Sequence, residues 1–534
     1  MHRPDPEASP VQGGHGTGGS RLPLVLALAL ALAATATWRP LPTGIWHDDG
    51  VYLLIGKALA AGEGLVYAGV PGDLPAAKFP PLYPLVLTPF WLIGDDLAAG
   101  SGWVAALNVL FMSAAAAVFC RFLMRSGWSA ATAGVTTLAA WSSPVLWRLT
   151  AIPLSEPLFL LLVWLGVATF PGAEGGQESR TTRPWWFVLA FGAAYLTRTA
   201  GVALLGAGVV AALARKRLRD GGTILVGGLL FVVPWAWWSA SATASIPEPL
   251  RDILGSYGDW LGPQILADPA RYAGIAAGNA WQLAIGLYEG LVPAGYALPG
   301  LPWILGPLVG LALVRGLPGT WRLSPICVLY PLGHLALLVL WPYRSVRLLA
   351  PALPFVALMA AVGLRAVVLS LAGRSRARGA ALVLATALGL QLVAVSAWTL
   401  ASGRHLAGYE VRARTLVRAV EAIEATTPRS AVVGAPELWA ALHLHTGRLA
   451  APSARFLPLA PPGQAGGTPG QQVELWRAAG LDHLLVEHGG NVHGPALDAL
   501  EAECGAEAIR VLASFPGPGY LVRLNLPTGC DISP

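Results

Sequence analysis

The chain has 534 residues, 55% of them hydrophobic and only 12% charged, with a mean hydropathy of +0.58. A soluble globular chain carries about twice that charged fraction, so an ordinary water-soluble domain is excluded. The formal net charge of +6 is no nucleic-acid footprint, because the arginines sit in short loops between apolar blocks, where they report membrane topology.

Residues 1–20 are rich in Pro, Gly and Ser and read as a disordered cytoplasmic tail. Arg21 then opens an apolar run over 22–38. A cleaved signal peptide would look similar, but the many later apolar blocks favour a retained first helix. Blocks long enough to cross a hydrocarbon core of about 30 Å predict eleven spans: 22–38, 99–124, 129–147, 153–170, 184–196, 200–214, 222–242, 300–315, 323–341, 347–369 and 379–400. The expected fold class is therefore mainly α, a polytopic membrane helix bundle over 21–400. The proline-rich stretch 80–94 is too short to span and predicts an interfacial or re-entrant helix within a first outer loop over 39–98. Residues 276–297 are a second candidate of that kind.

With the N-terminus inside, Arg121, Arg125, Arg180, Arg183, Arg215, Lys216, Arg217, Arg219, Arg315, Arg322, Arg365, Arg374, Arg376 and Arg378 all fall in inner loops. The positive-inside rule selects this orientation. Asp48, Asp49, Glu63, Lys78, Arg148, Glu156, Arg198, Arg344 and Arg347 then lie at outer helix ends or in outer loops. From 401 to 534 the chain reads as a soluble α/β domain, placed outside by the odd number of spans. Helical patterns over 412–425, 437–446 and 472–480 alternate with β-rich runs at 430–434, 482–487 and 520–524; 458–471 reads as a loose loop. Cys120 and Cys327 fall in apolar spans as free thiols, and Cys504 and Cys530 could pair outside.

Charge beside a bilayer is costly and usually functional. In Ile45-Trp-His-Asp-Asp-Gly-Val-Tyr52 a carboxylate can take a proton from an attacking hydroxyl, and its neighbour can orient it, hold a divalent cation or bind the acceptor. The bland alternative is a helix N-cap. In Ala77-Lys-Phe-Pro-Pro-Leu-Tyr-Pro84 the prolines aim Lys78, which can hold a phosphate; otherwise it anchors at the interface. Arg198 and Arg347 suit bidentate phosphate recognition. Glu156 and His47 are candidates for the acceptor or a metal. The histidines at 443, 445, 483, 488 and 493 show no ligand spacing and read as satisfied surface or loop residues.

The acidic pair with Tyr52, then KFPPLYP, SEPLF at 155–159, LTRTAG at 196–201 and RLLAPALPF at 347–355 resemble, in that order, the GT-C glycosyltransferases that use polyprenyl-phosphate sugars. This group includes the protein O-mannosyltransferases, the lipid A aminoarabinose transferase and the rhizobial lipopolysaccharide core transferases. The resemblance implies a sugar moved from a polyprenyl-phosphate donor to a hydroxyl or amine of a lipid, glycan or protein acceptor. Transfer would occur with inversion, on the outer face of a bacterial inner membrane. Asp48 matches the family's catalytic aspartate, and Asp49 stands where Glu is more common. Lys78 matches the lysine of the KPP-type motif, with Phe79 inserted, and Glu156, Arg198 and Arg347 match more loosely placed positions. The resemblance implies no particular cofactor and leaves a divalent metal open. The rival reading is a transporter or flippase of lipid-linked sugars.

Overall fold

The structure is a computed structural model that describes residues 21–94, 96–171, 184–292, 301–342, 346–370, 394–395, 397–455, 467–487, 492–515, 519–526 and 532. Its helices follow the apolar blocks: α1 (Leu22–Ala36), α2 (His47–Ala61), α3 (Leu82–Ile93), α4 (Leu97–Arg125), α5 (Ala130–Trp141), α6 (Pro144–Trp147), α7 (Glu156–Thr169), α8 (Pro184–Thr197), α9 (Val202–Ala214) and α10 (Leu218–Ala244). After these come α11 (Arg251–Leu254), α12 (Tyr257–Ala267), α13 (Pro269–Leu291), α14 (Leu301–Leu323), α15 (Ile326–Val339) and α16 (Leu353–Ser370).

Among the described residues two helices are long and apolar enough to cross a membrane unaided, Gly100–Arg125 and Leu218–Ala244. The latter turns Val226, Leu230, Val233 and Trp237 outward, more than half exposed, as a lipid-facing surface would. Helices approach closely where side chains are small. A Cβ on Gly363 would collide with the Ala312 carbonyl, and one on Gly316 with that of Met359, so α14 and α16 cross almost backbone to backbone.

Several boundaries differ from expectation. The single span expected over 129–147 is broken at Ser142-Ser143-Pro144 into α5, α6 and a 3-10 turn, because proline cannot continue a helix from within. The span expected at 347–369 begins with a 3-10 turn over Val346–Leu349 before α16. The candidate at 276–297 is instead the far part of the longer α13, preceded by α12. The short helix expected in 80–94 is α3. Most of the expected span 379–400, the arginines at 374, 376 and 378, and Arg344 lie outside the described residues.

The C-terminal part carries a five-stranded mixed sheet in the order β2-β1-β3-β5-β4. The strands are β1 (Val432–Ala435), β2 (Leu449–Pro452), β3 (His483–Glu487), β4 (Ile509–Phe515) and β5 (Gly519–Leu524). β1 pairs in parallel with β2 and β3, and β5 runs antiparallel to both β3 and β4. Helices Ala407–Thr426, Trp439–Thr446, Pro469–Ala478 and Gly494–Cys504 accompany it. Strands β2 and β4 are additions to the expected pattern. Cys504 is disulfide-bonded and Cys530 lies outside the described residues; Cys120 and Cys327 are buried free thiols, as expected.

Candidate active site

Four ionisable side chains from four distant elements meet at one end of the bundle. Asp48, in the first turn of α2, pairs through Oδ2 with Arg347 from the 3-10 turn. Glu156, the first residue of α7, lies 3.0 Å from Arg198 and 3.8 Å from Arg347. A carboxylate suits that position, because a helix N-terminus is electropositive. Arg198 follows α8 as a single extended residue before the next 3-10 turn, and its Nη1 donates to Ser155 Oγ at 2.9 Å. Ser155 Oγ also shares a 2.9 Å hydrogen bond with the Tyr52 hydroxyl.

The two adjacent aspartates have separate surroundings. Asp49 is fully buried and caps its own helix: Oδ2 accepts from the Gly44 amide at 2.7 Å and Oδ1 from the Trp46 amide at 2.9 Å. Burial pushes its carboxyl up to about 7, against the pull of those amides. Burial works to raise Asp48 as well, but Arg347, with His47 and Arg198 behind it, holds that carboxyl down to about 2. Of the pair, Asp48 is the one that stays ionised far below neutral pH.

Lys78 lies beside the cluster. Its Nζ donates to the Ile253 carbonyl at 3.0 Å and sits 5.0 Å above the Tyr257 ring. Burial lowers it to about 8, with Asp48 and Asp252 opposing that shift. The segment from α11 to α12 is clasped from both sides, since Tyr67 donates to the Leu254 carbonyl at 3.0 Å and Arg455 pairs with Asp252 at 2.5 Å. The His47 ring stacks on Phe79 and meets Trp439 edge-on, with Nδ1 3.8 Å from Asp48 Oδ1.

The α/β domain supplies walls that sequence reasoning missed. Tyr409 packs edge-on against Trp46, and Arg412 lies 3.7 Å over the Trp46 ring while bonding Glu437 at 2.6 Å. Trp439 joins His47 to Tyr67. His443, His483 and His493 are not surface residues, and His483 opens strand β3 with its ring against Asp482 at 2.6 Å. His443 is buried between Lys57 and the Arg448 carbonyl, and His493 is buried against Ser453 Oγ at 3.0 Å. His445, half-buried, reaches the Thr43 carbonyl at 2.9 Å, so these imidazoles are satisfied, largely inside joints. His488 lies outside the described residues.

Some polar groups in the cluster have no hydrogen-bond partner although buried: both Glu156 oxygens, Arg347 Nη1 and Arg148 Nε. Glu156 is held by proximity of charge rather than by aligned hydrogen bonds. Arginine donors without acceptors at a buried site suit an incoming oxyanion. For a metal the residues fit poorly: among the described residues no group of three His, Cys, Asp or Glu side chains is placed to hold one.

No protein-family model and no curated protein matches the chain. Solved structures match its fold. ArnT from Cupriavidus metallidurans bound to undecaprenyl phosphate aligns over 95% of this chain and 98% of its own, at 15% identity and a TM-score of 0.55. Its apo state aligns over 94% and 98%, with 15% identity and a TM-score of 0.56. The archaeal oligosaccharyltransferase AglB from Archaeoglobus fulgidus, in complex with an inhibitory peptide and a dolichol-phosphate, covers 92% of this chain and 71% of its own. Its identity is 11% and its TM-score 0.52. At these identities the likeness is one of fold alone.

Proposed function

We propose that the protein is a membrane glycosyltransferase that moves a sugar from a polyprenyl-phosphate donor to an acceptor hydroxyl or amine, with inversion at the anomeric carbon. The carrying observation is that Asp48, Glu156, Arg198 and Arg347 meet at one end of a fold shared with a protein bound to undecaprenyl phosphate. The donor's leaving group is a phosphate ester on which negative charge grows as the glycosidic bond breaks. Preorganised cations in a water-poor site stabilise that charge directly, a task assigned here to Arg347, Arg198 and Lys78. The acceptor must shed a proton from the opposite side, and of the two carboxylates in the cluster Asp48 is the one left accessible, 21% exposed against 1% for Glu156. Asp49, occupied by two backbone amides, sets the start of α2 and thereby the aim of Asp48.

Helix direction supports the proposed sidedness. α4 is bonded near the site through Asn108, which donates to the Ile152 carbonyl, and it ends at the far side in Arg125. Arg365, near the far end of α16, lies over Trp128. Cations that the positive-inside rule assigns to the cytoplasm are thus at the end away from the site. This supports a reading in which the bundle over 21–400 crosses a bacterial inner membrane and the site and the α/β domain over 401–534 face outside. The transporter reading gains nothing from a charge cluster at helix ends, since transporters bind near the midplane.

The test is to incubate the full-length protein in detergent with a panel of polyprenyl-phosphate sugars and follow donor consumption. Asp48→Asn should lower turnover by about 10²–10⁴-fold while still binding undecaprenyl phosphate. Full activity in that variant would remove Asp48 from the reaction, and a wild type inert to every donor would remove the reading itself.

A further inference from the structure

The carboxylate assigned to the acceptor proton is a poor place for that proton to stay. Arg347 grips Asp48 through Oδ2, and a guanidinium salt bridge favours the ionised form. The other oxygen, Oδ1, is turned to a different partner, the imidazole of His47, whose Nδ1 is 3.8 Å away. That gap closes with a small rotation or with one bridging water. The ring is fixed in place by stacking on Phe79 and by the edge contact with Trp439. It is not sealed: a quarter of the His47 side chain is exposed, which leaves a way out to solvent.

Resting on the glycosyltransferase reading above, we infer that His47 takes up the proton lost by the acceptor, passed to it through Asp48. In the step, the acceptor oxygen or nitrogen bonds to the anomeric carbon. The bond from that carbon to the phosphate oxygen breaks and leaves its electron pair on the phosphate. The acceptor proton passes to Asp48 Oδ1 and on to His47 Nδ1. The imidazolium, held beside the restored carboxylate, then releases its proton to water. Asp48 touches the acceptor, and His47 acts through it.

His47 must be neutral to accept the proton, so activity falls as pH drops through its pKa. Burial lowers that pKa below the ordinary histidine value; Asp48 and Glu437 raise it, while Lys78 and Arg347 lower it. Asp49 titrates nearby, at about 7. The measurement is therefore a ratio, in which Asp49 is common to both proteins and cancels. With a donor that the wild type consumes, kcat is measured for the wild type and for His47→Asn from about pH 5 to about pH 9. At the alkaline end the variant should run about 100-fold slower, with undecaprenyl phosphate binding unchanged.

Below the His47 pKa the wild type loses its acceptor of protons and the variant, relying on Asp48 alone, does not. The variant-to-wild-type ratio should then rise by about tenfold per pH unit. A kcat equal to that of the wild type at the alkaline end, in this variant and in His47→Gln, would mean that the imidazole merely fills space and would overturn the relay while leaving the glycosyltransferase reading intact. A wild type that consumes no donor would instead sink that reading.

Discussion

On one side of the α2 N-terminus, charged groups from α2, α7, α8 and the 346–349 turn meet with hydrogen bonds left unmade. On the other side, the same turn of helix is packed shut against the α/β domain. There, Gly44 and Gly50 lie under Ala441 and Ala440, Gly69 lies under the His443 ring, and the Ala450 amide donates to the Gly69 carbonyl at 2.9 Å. The orphans on this second side include the indole N–H of Trp46 and of Trp439 and one charged donor, Arg448 Nε, whose guanidinium otherwise bonds the backbone carbonyls of Thr446, Glu424 and Thr427. In the cluster the orphans are charged: both Glu156 oxygens and an Arg347 nitrogen. A buried neutral donor left unmet costs about 1–3 kcal/mol, and a charged one costs more. The difference is what the proposed donor site requires: unmet charged groups on one side of the helix start, and close packing on the other to fix their positions.

The sharpest way to break that contrast is Arg347→Ala. It leaves Asp48 and Glu156 in the cluster with fewer cations between them, so both functions of the region should suffer. Donor turnover should fall by about 10²–10³-fold, the usual result of losing one preorganised charge donor. Stability should fall by about 3 kcal/mol at most, since Arg347 keeps some exposure. Unchanged turnover on a folded variant would mean that the cluster is merely an ion-pair network.

Asp49 tests the joint by pH. Its carboxyl holds its proton up to about 7 in the folded chain, against an ordinary value near 4 when unfolded. The folded state therefore retains a proton that the unfolded state loses. The stability tied to that proton is complete below about pH 4 and declines by up to about 1.4 kcal/mol per unit as pH rises toward 7. Thermal unfolding of the wild type, read against Asp49→Asn across that range, should show this slope and flatten above it. Parallel curves for the two proteins would show that Asp49 is ionised in the fold.

How much of this was legible follows from what a linear pattern can carry. Asp48, Lys78, Glu156, Arg198 and Arg347 stood out because charge is rare in this chain and expensive beside lipid. Which of Asp48 and Asp49 turns toward the cluster stayed open, because two adjacent carboxylates carry the same linear signal and only the fold separates their surroundings. Ser142-Ser143-Pro144 was a readable helix break. Tyr409, Arg412 and Trp439 were not readable, because their place at the site depends on how a second domain docks, which no local period records. Strands β2 and β4 were hidden for a different reason. β2 is only Leu-Ala-Ala-Pro, with no β-branched residue, and β-propensity mostly reflects the surface a strand packs on.

Gly69→Ala probes the joint directly. Gly69 has φ +77, and a Cβ there would collide with the His443 ring. The ring cannot easily retreat, because both its nitrogens are bonded, to Lys57 and to the Arg448 carbonyl. Backbone strain and overpacking together should cost about 1–3 kcal/mol in thermal unfolding. Turnover per folded molecule should stay near that of the wild type, because Gly69 touches none of the four clustered side chains. A variant of full stability but low turnover would reverse the roles given to the two regions.

The smallest effect is expected at the rim. Arg39 pairs with Glu410 at 3.2 Å and donates to the Ser402 carbonyl at 3.3 Å, so it links the end of α1 to the α/β domain. Both partners of the ion pair are more than a third exposed, and exposed pairs contribute about 0–1 kcal/mol because water screens them and ordering two long side chains costs entropy. Arg39→Ala should therefore shift thermal unfolding only slightly, and less again at high salt, where the pair is already screened. If this variant were as damaging as Gly69→Ala, the domain would be held by its rim charges rather than by the close packing beneath His443, and the contrast between a charged site and a closely packed joint would fail at its weakest point first.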